Sequence, residues 1–164
     1  EAFVFSKTVR ENIAITKPDS DIEEIILSAK LASVHDDIVK FERGYDTLVG
    51  EKGITLSGGQ RQRLTIARTL VNDYPILIFD DSMSAVDTET ERKILEAIRK
   101  RSENTTTIIV SHRISSIKDA DKIIVFEDGV VTAIGNHEEL VNHPGLYQRV
   151  WRIENVLKLT ETGE

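Results

Sequence analysis

Residues 56–60 read Leu-Ser-Gly-Gly-Gln, and the chain continues as RQRLTIARTL to Leu70. This stretch decides the fold, because it joins a helix start to an opening for a ligand. Ser57 is a favoured N-cap, and Gln60 can return a bond to the cap backbone, which completes a capping box. Beyond it, Ile66, Ala67, Leu70 and Val71 share one side of a helix predicted over 58–72. Gly58 and Gly59 let another group approach the backbone where free N–H groups and the helix dipole favour an anion. The five residues alone fit either a capped structural helix or a phosphate-facing helix start.

Downstream, residues 76–87 read ILIFDDSMSAVD. A run of apolar residues suited to a sheet interior ends in two adjacent carboxylates, Asp80 and Asp81. Burying one carboxylate is costly, so a pair suggests that a cation, or a proton in transit, belongs there. Pro75 clears the preceding helix and admits a strand over Ile76–Phe79. A helix is predicted from Thr88 to Arg101, N-capped by Asp87, with Ile94, Leu95 and Ile98 inward. Thr107–Val110 (TIIV) then reads as a strand of the kind found in parallel sheets covered on both faces, so the segment is a βαβ unit.

Either side of this unit the patterns are simpler. Ile22, Ile25, Ile26, Ala29 and Ala32 form the inner face of a surface helix opposite Asp21, Glu23, Glu24 and Lys30. Lys122–Val131 (KIIVFEDGVV) sets Asp128-Gly129 between two apolar runs, a hairpin signal. From Asn136 the tail reads as helical and ends in a polar, frayed TETGE.

Composition limits what the carboxylate pair can serve. A chain of 164 residues with 40% apolar content can build one ordinary core. The absence of cysteine excludes a disulfide framework and thiolate metal sites. A net charge of -7 without a basic stripe argues against nucleic acid as a partner. No apolar stretch of about 18 residues occurs, and no leader pattern, so any membrane link is expected through a partner or another segment.

Taken in series, LSGGQ, the strand ending in Asp80, Ser84-Ala85-Val86-Asp87 and the strand followed by His112 resemble the nucleotide-binding domain of an ABC transporter. The resemblance runs over essentially the whole chain. It implies that LSGGQ is the signature motif, ILIFD the Walker B strand, residues 84–87 the D-loop and His112 the switch histidine. Thr47–Gly53 (TLVGEKG) looks like the segment that touches the coupling helices in exporters. The opening FVFSKTVRENI is similar to the run after the Q-loop glutamine, and GNHEELVNHPGLYQRVW, with Gly145 and Tyr147, also resembles exporters.

The resemblance then implies a set of roles. ATP and Mg²⁺ are the expected cofactors, with Asp80 holding the metal through its water shell. Asp81 stands where the family usually has the glutamate that polarises the attacking water, and His112 would contact the γ-phosphate. Ser57, Gly58, Gly59 and Gln60 would complete the site of a second nucleotide-binding domain in a head-to-tail homo- or heterodimer, and Asp87 would bridge the two sites. Arg61, Arg63 and Arg68 are assigned to acidic neighbours or partner loops.

The expected fold is α/β, a partial P-loop NTPase core with parallel strands, a helical subdomain and a C-terminal hairpin plus helices. Residues 1–72 form the helical signature subdomain and 73–164 the C-terminal part of the RecA-like core. No GxxxxGK[ST] occurs; Gly44–Lys52 has the wrong spacing, and Glu51 stands where the lysine should be. The chain is therefore expected to begin just past the Q-loop glutamine and to be inactive alone. Its predicted function is to couple ATP hydrolysis to export at the cytoplasmic face of the membrane, through coupling helices of a transmembrane domain. Asp81 makes a degenerate site of a heterodimer the expected arrangement. The alternatives are a non-catalytic regulatory half and an ABC-type ATPase of DNA repair or chromosome maintenance.

Overall fold

The hydrophobic periodicities resolve into helices and strands much as their spacing requires. The computed structural model describes residues 2–51, 53–101 and 105–161. In chain order these carry α1 (Val9–Ile13), α2 (Ile22–Leu31), α3 (His35–Ile38), α4 (Gly58–Leu70), β1 (Ile76–Asp80), α5 (Thr88–Arg101) and β2 (Thr106–Val110). There follow α6 (Ile114–Ile117), β3 (Ile123–Glu127), β4 (Val130–Gly135), α7 (His137–Asn142) and α8 (Leu146–Glu161). Two compact units result, Glu1–Val110 and Ser111–Glu164. The division at residue 72 expected from the resemblance falls inside the first.

In the first unit α4 buries Leu64, Ile66, Ala67 and Leu70 against Ile25 and Ala29 of α2 and Val9 and Ile13 of α1. It ends at Leu70 rather than at residue 72, and Val71 closes it by donating to the Ala67 carbonyl. On α2, Ile25 and Ala29 are buried as the spacing required, but Ile22 in the first turn is exposed.

The βαβ unit forms as read. β1 and β2 pair in parallel, from Ile76 opposite Thr106 to Asp80 opposite Val110. Leu77 and Phe79 join Ile94, Leu95 and Ile98 of α5 in the core. Cover on both faces is not found: Ile76 and Ile78 are 56% and 61% exposed, and Ile108 and Val110 are exposed as well. Alternate side chains point to opposite faces of a strand, and the helices of the first unit lie over only one of them.

The second unit is built on the β3–β4 hairpin. Asp128 and Gly129 both adopt positive φ (52° and 77°), the backbone that a two-residue turn matched to strand twist demands. Ile123 and Val125 pack with Ile114, Leu140 and Tyr147. The Tyr147 hydroxyl meets His137 Nδ1 at 2.7 Å, and burial raises the phenol pKa to about 12. In the TETGE tail, Thr160 and Glu161 are helical, and residues 162–164 lie outside the described residues. Among the described residues no helix is long and apolar enough to cross a membrane.

The opening of the chain is tied down by two side chains that carry no motif. Asn12, fully buried, accepts from the Phe5 N–H (2.9 Å) and from Arg68 Nη2 (3.0 Å), and donates to the Phe5 and Thr8 carbonyls. Arg68 also donates to the carbonyls of Asn12 and Phe3, so it serves backbone and amide oxygens of the opening, where an acidic neighbour or a partner loop was expected. The opening in turn pairs with the Thr47–Gly53 segment: Val9 N–H donates to Thr47 and Val49 N–H to Lys7, each at 3.0 Å. Lys52 lies outside the described residues. Replacing Asn12 by leucine keeps similar bulk but removes the partner of the Phe5 N–H and leaves the Phe5 carbonyl with Lys7 N–H alone. We expect Asn12→Leu to cost about 1–3 kcal/mol, read as a lowered urea midpoint at unchanged slope; an unmoved midpoint would show that the opening does not depend on this bond set.

Candidate functional site

The start of α4 is built as its sequence required. Gln60 N–H donates to Ser57 Oγ (3.2 Å) and Ser57 N–H donates to Gln60 Oε1 (3.0 Å), so the capping box is complete. Gln60 has a further partner that the motif did not suggest: its Nε2 donates to Asp37 Oδ1 at 3.1 Å. Asp37 also pairs with Arg63 Nη1 (2.9 Å), and Arg63 donates to the carbonyls of Ser33 and Gly59. Arg63 thus finds the acidic neighbour expected of it. Arg61 instead donates to the Leu56 carbonyl, at 2.7 Å.

Against this helix start lies the loop that follows β1. A Cβ on Gly59 would stand 2.9 Å from the Ala85 carbonyl oxygen, so only glycine allows the approach. Gly58 is roomier, with its imagined Cβ 3.6 Å from that of Ala85. One turn further along, Gln62 spans to the same loop: its Nε2 donates to Ser84 Oγ (3.0 Å) and its Oε1 accepts from Ala85 N–H (2.8 Å). The sequence reading assigned nothing to Asp37 or Gln62. Polar residues near a motif are common, and only the packing of α3 and the loop onto α4 singles these out.

Asp80 and Asp81 end the strand. Both are exposed, so the burial cost inferred from the apolar run does not arise here: the pleat turns Leu77 and Phe79 inward and Asp80 outward. Asp81 has φ 46°, the left-handed region that aspartate tolerates better than most residues. Its N–H donates to the Val110 carbonyl (3.0 Å), and its own carbonyl accepts from Ser84 Oγ (3.1 Å). Among the described residues neither carboxylate has a hydrogen-bond or ion-pair partner.

The two carboxylates border a cleft of ≈ 360 Å³ whose other walls include Gln62, Thr65 and Thr69 of α4. The donors facing it are hard oxygens, and no cluster of three or more His, Asp or Glu occurs among the described residues. That suits magnesium, which keeps much of its water and takes one or two carboxylates alongside phosphate oxygens.

Asp87 caps α5, its Oδ1 accepting from Thr90 N–H at 2.9 Å. That bond, first of several causes, holds its carboxyl below the ordinary 3.8. His112 belongs to the second unit, where it is exposed. The turn that carries it is set by neighbours: Ser111 Oγ accepts from Arg113 N–H (3.0 Å), and Glu154 of α8 accepts from Ile114 N–H (2.9 Å). Nothing in the local sequence pointed to Glu154, which comes from 40 residues away.

These features are those of a nucleotide-handling α/β domain. A family model described as "ABC transporter" matches residues 2–84, and the chain belongs to that family. It is 48% identical over 156 residues to YgaD of Bacillus subtilis (strain 168), provisionally named a multidrug export ATP-binding/permease protein, covering 95% of this chain and 27% of that one. A protein of the same description from Staphylococcus aureus (strain NCTC 8325 / PS 47), SAOUHSC_02003, is 48% identical over 153 residues, covering 93% and 26%. Among solved structures, a bacterial Atm1-family ABC exporter with ATP bound superposes with a TM-score of 0.85 at 41% identity, over 93% of this chain and 27% of that one. The chain thus spans little more than a quarter of the relatives it matches.

The Asp87 cap has a pH signature. A depressed folded pKa means that the ionised carboxylate stabilises α5 fully above 3.8, and that this contribution is lost as pH falls through the lower folded value. Asparagine also caps but does not titrate. Asp87→Asn should therefore lose stability less steeply on the acid side, compared by urea midpoints across acidic pH; identical pH slopes for the two proteins would exclude an ionised cap.

Proposed function

We propose that this chain is the ATP-binding and hydrolysing part of a longer ABC exporter, in which ATP turnover is coupled to transmembrane export. The observation that carries this reading is the cleft that Asp80 and Asp81 line together with Ser84 of the following loop and Gln62, Thr65 and Thr69 of α4. The names of the relatives support it, as does the likeness to an exporter with ATP bound. In this reading residues 1–72 act as the signature part and 73–164 as the C-terminal part of the catalytic core.

Each residue then has a task. Asp80 holds Mg²⁺ through water, and the ion, when bound, offsets charge on the phosphates. Asp81 orients and polarises the attacking water, and His112 contacts the γ-phosphate. Ser57, Gly58 and Gly59 offer backbone N–H groups to ATP held by a second nucleotide-binding domain, packed head-to-tail as homo- or heterodimer. Gln60, engaged by Ser57 and Asp37, serves that surface by orienting the helix start. Asp87 both caps α5 and faces the partner. The opening residues and Thr47–Gly53, held together by backbone bonds, receive the coupling helices of a transmembrane domain. This puts the chain at the cytoplasmic face of the membrane.

Asp81 favours a second reading, a half-site that binds nucleotide with little turnover. Aspartate is shorter than glutamate by one methylene, ~1.5 Å, and a misplacement of about 1 Å can cost on the order of 10²-fold in rate. The left-handed backbone at residue 81 gives a physical reason for the shorter side chain, since it suits aspartate better than glutamate. In the full-length assembly with the partner's site disabled, Asp81→Glu should raise turnover by up to about 10²-fold. It should also lower stability slightly, by about 1 kcal/mol. A rate that stays flat would mean that reach is not what limits this site, and would remove Asp81 as the ground for the half-site reading.

The trans arrangement is best probed at Gly58. A side chain on Gly59 would displace the cis loop as well, whereas Gly58 has ordinary van der Waals room toward Ala85. Gly58→Asp puts a carboxylate where the partner's γ-phosphate must approach, and like charges in a poorly solvated gap repel by several kcal/mol. Hydrolysis at the partner's site should collapse while labelled ATP still photo-crosslinks to this subunit. Lost labelling here with normal hydrolysis by the partner would place the signature helix in its own subunit's site and end the head-to-tail model.

A further inference from the structure

We infer that Gln62 is a positioning residue for Asp81, clasping the loop after β1 to the signature helix so that the two move as one body. The inference rests on the ATPase reading above and adds to it a residue outside the five-residue motif.

Both ends of the Gln62 amide are used. Nε2 donates to Ser84 Oγ at 3.0 Å and Oε1 accepts from Ala85 N–H at 2.8 Å. A primary amide is the side-chain group that offers a donor and an acceptor side by side at this length; glutamate lacks the donor, lysine the acceptor and methionine both. Ser84 then passes the connection on. Its hydroxyl donates to the Asp81 carbonyl (3.1 Å), and Asp81 N–H donates to the Val110 carbonyl (3.0 Å). A continuous series of hydrogen bonds therefore runs from α4 through Ser84 to the backbone of Asp81 and on to β2.

The geometry at Asp81 gives this series something to hold. A left-handed backbone at a residue other than glycine persists only where the surroundings over-determine it. Those surroundings are the ladder bond on one side and the Ser84 bonds on the other. Meanwhile Gly59 lies against the Ala85 carbonyl, on the same short loop that Gln62 holds. The place where α4 begins and the place where the Asp81 carboxylate points are thus set by one contact between helix and loop. Core packing anchors the loop on either side, since Met83 and Val86 are buried with Leu64, Ile66, Ala67 and Leu70 of α4, but it leaves Ser84 and Ala85 between them exposed and set by the Gln62 bonds. A bond set that contributes little to burial yet restrains a catalytic backbone acts on geometry more than on stability.

The test uses the full-length exporter, reconstituted with its partner and with the partner's site disabled. Gln62→Met removes both bonds at similar length, and Gln62→Glu keeps the acceptor for Ala85 N–H while losing the donor to Ser84. Amide exchange at Ala85, followed by peptide mass spectrometry, reads the clasp directly; steady-state kinetics read its consequence. Gln62→Met should speed exchange at Ala85 by about tenfold, the loss of one net hydrogen bond, and lower kcat by about 10- to 100-fold with KM for ATP nearly unchanged. Gln62→Glu should fall between the two proteins in both readouts, and it keeps the question open to decision should the methionine variant fail to assemble. Unchanged exchange at Ala85, or faster exchange with kcat intact, would overturn the inference. Absence of hydrolysis by the unsubstituted site, even with Asp81→Glu, would instead sink the ATPase reading, and the exchange measurement would still decide whether the clasp exists.

Discussion

The reciprocal hydrogen bonds between Ser57 and Gln60 fix where α4 begins, and the loop after β1 packs against that start. A helix end leaves several N–H groups without intrahelical partners, and the box satisfies two donors while leaving the backbone at Gly58 and Gly59 uncovered by side chains. The same helix buries its apolar side against α1 and α2 and meets the loop after β1 through Gly59 and Gln62. A shift of α4 by a fraction of a turn would therefore move the helix start and the loop after β1 together. That is a mechanical reason for one element to carry both a cap and a packed face.

The strand-end carboxylates pose a different physical problem. An apolar strand ending in two aspartates suggests a charge buried at a cost, but the pleat resolves it by pointing Asp80 away from the core that takes Leu77 and Phe79. The cost that remains is conformational, in the left-handed backbone of Asp81. Aspartate lowers that cost because its short polar side chain tolerates the conformation. In the proposed role the same brevity shortens its reach toward a water molecule, so backbone comfort and reach would pull in opposite directions at one residue.

Much of the fold and part of the site were legible in the sequence, for reasons that differ between residues. The capping box at Ser57, the inward faces of α4 and α5, the parallel pairing of β1 and β2 and the Asp128-Gly129 turn follow from local rules. Those rules concern spacing, caps and positive φ, and they depend on neighbours within a few positions. The Asp87 cap was legible in the same way. Expectations that required knowledge of what lies over a surface fared worse, as the exposed Ile76 and Ile78 show. Apolar periodicity tells which side chains share a face, but not whether a second layer covers it.

The sequence by itself thus determined the longer elements, the caps at Ser57 and Asp87 and the family, because motif spacing and helix chemistry are local and are shared with relatives that match nearly the whole chain. Only the tertiary structure decided that Asp37 joins Gln60 to Arg63, that Arg68 and Asn12 hold the opening of the chain, and that Gln62 clasps Ser84 and Ala85. Each of these depends on groups brought together from distant positions by burial of apolar faces. A glutamine or an asparagine carries no mark in the sequence of which carbonyl or amide it will meet. That choice is made when the helices pack, because a polar group drawn into a half-buried setting must find a partner there or lose the bonds that water would have given it.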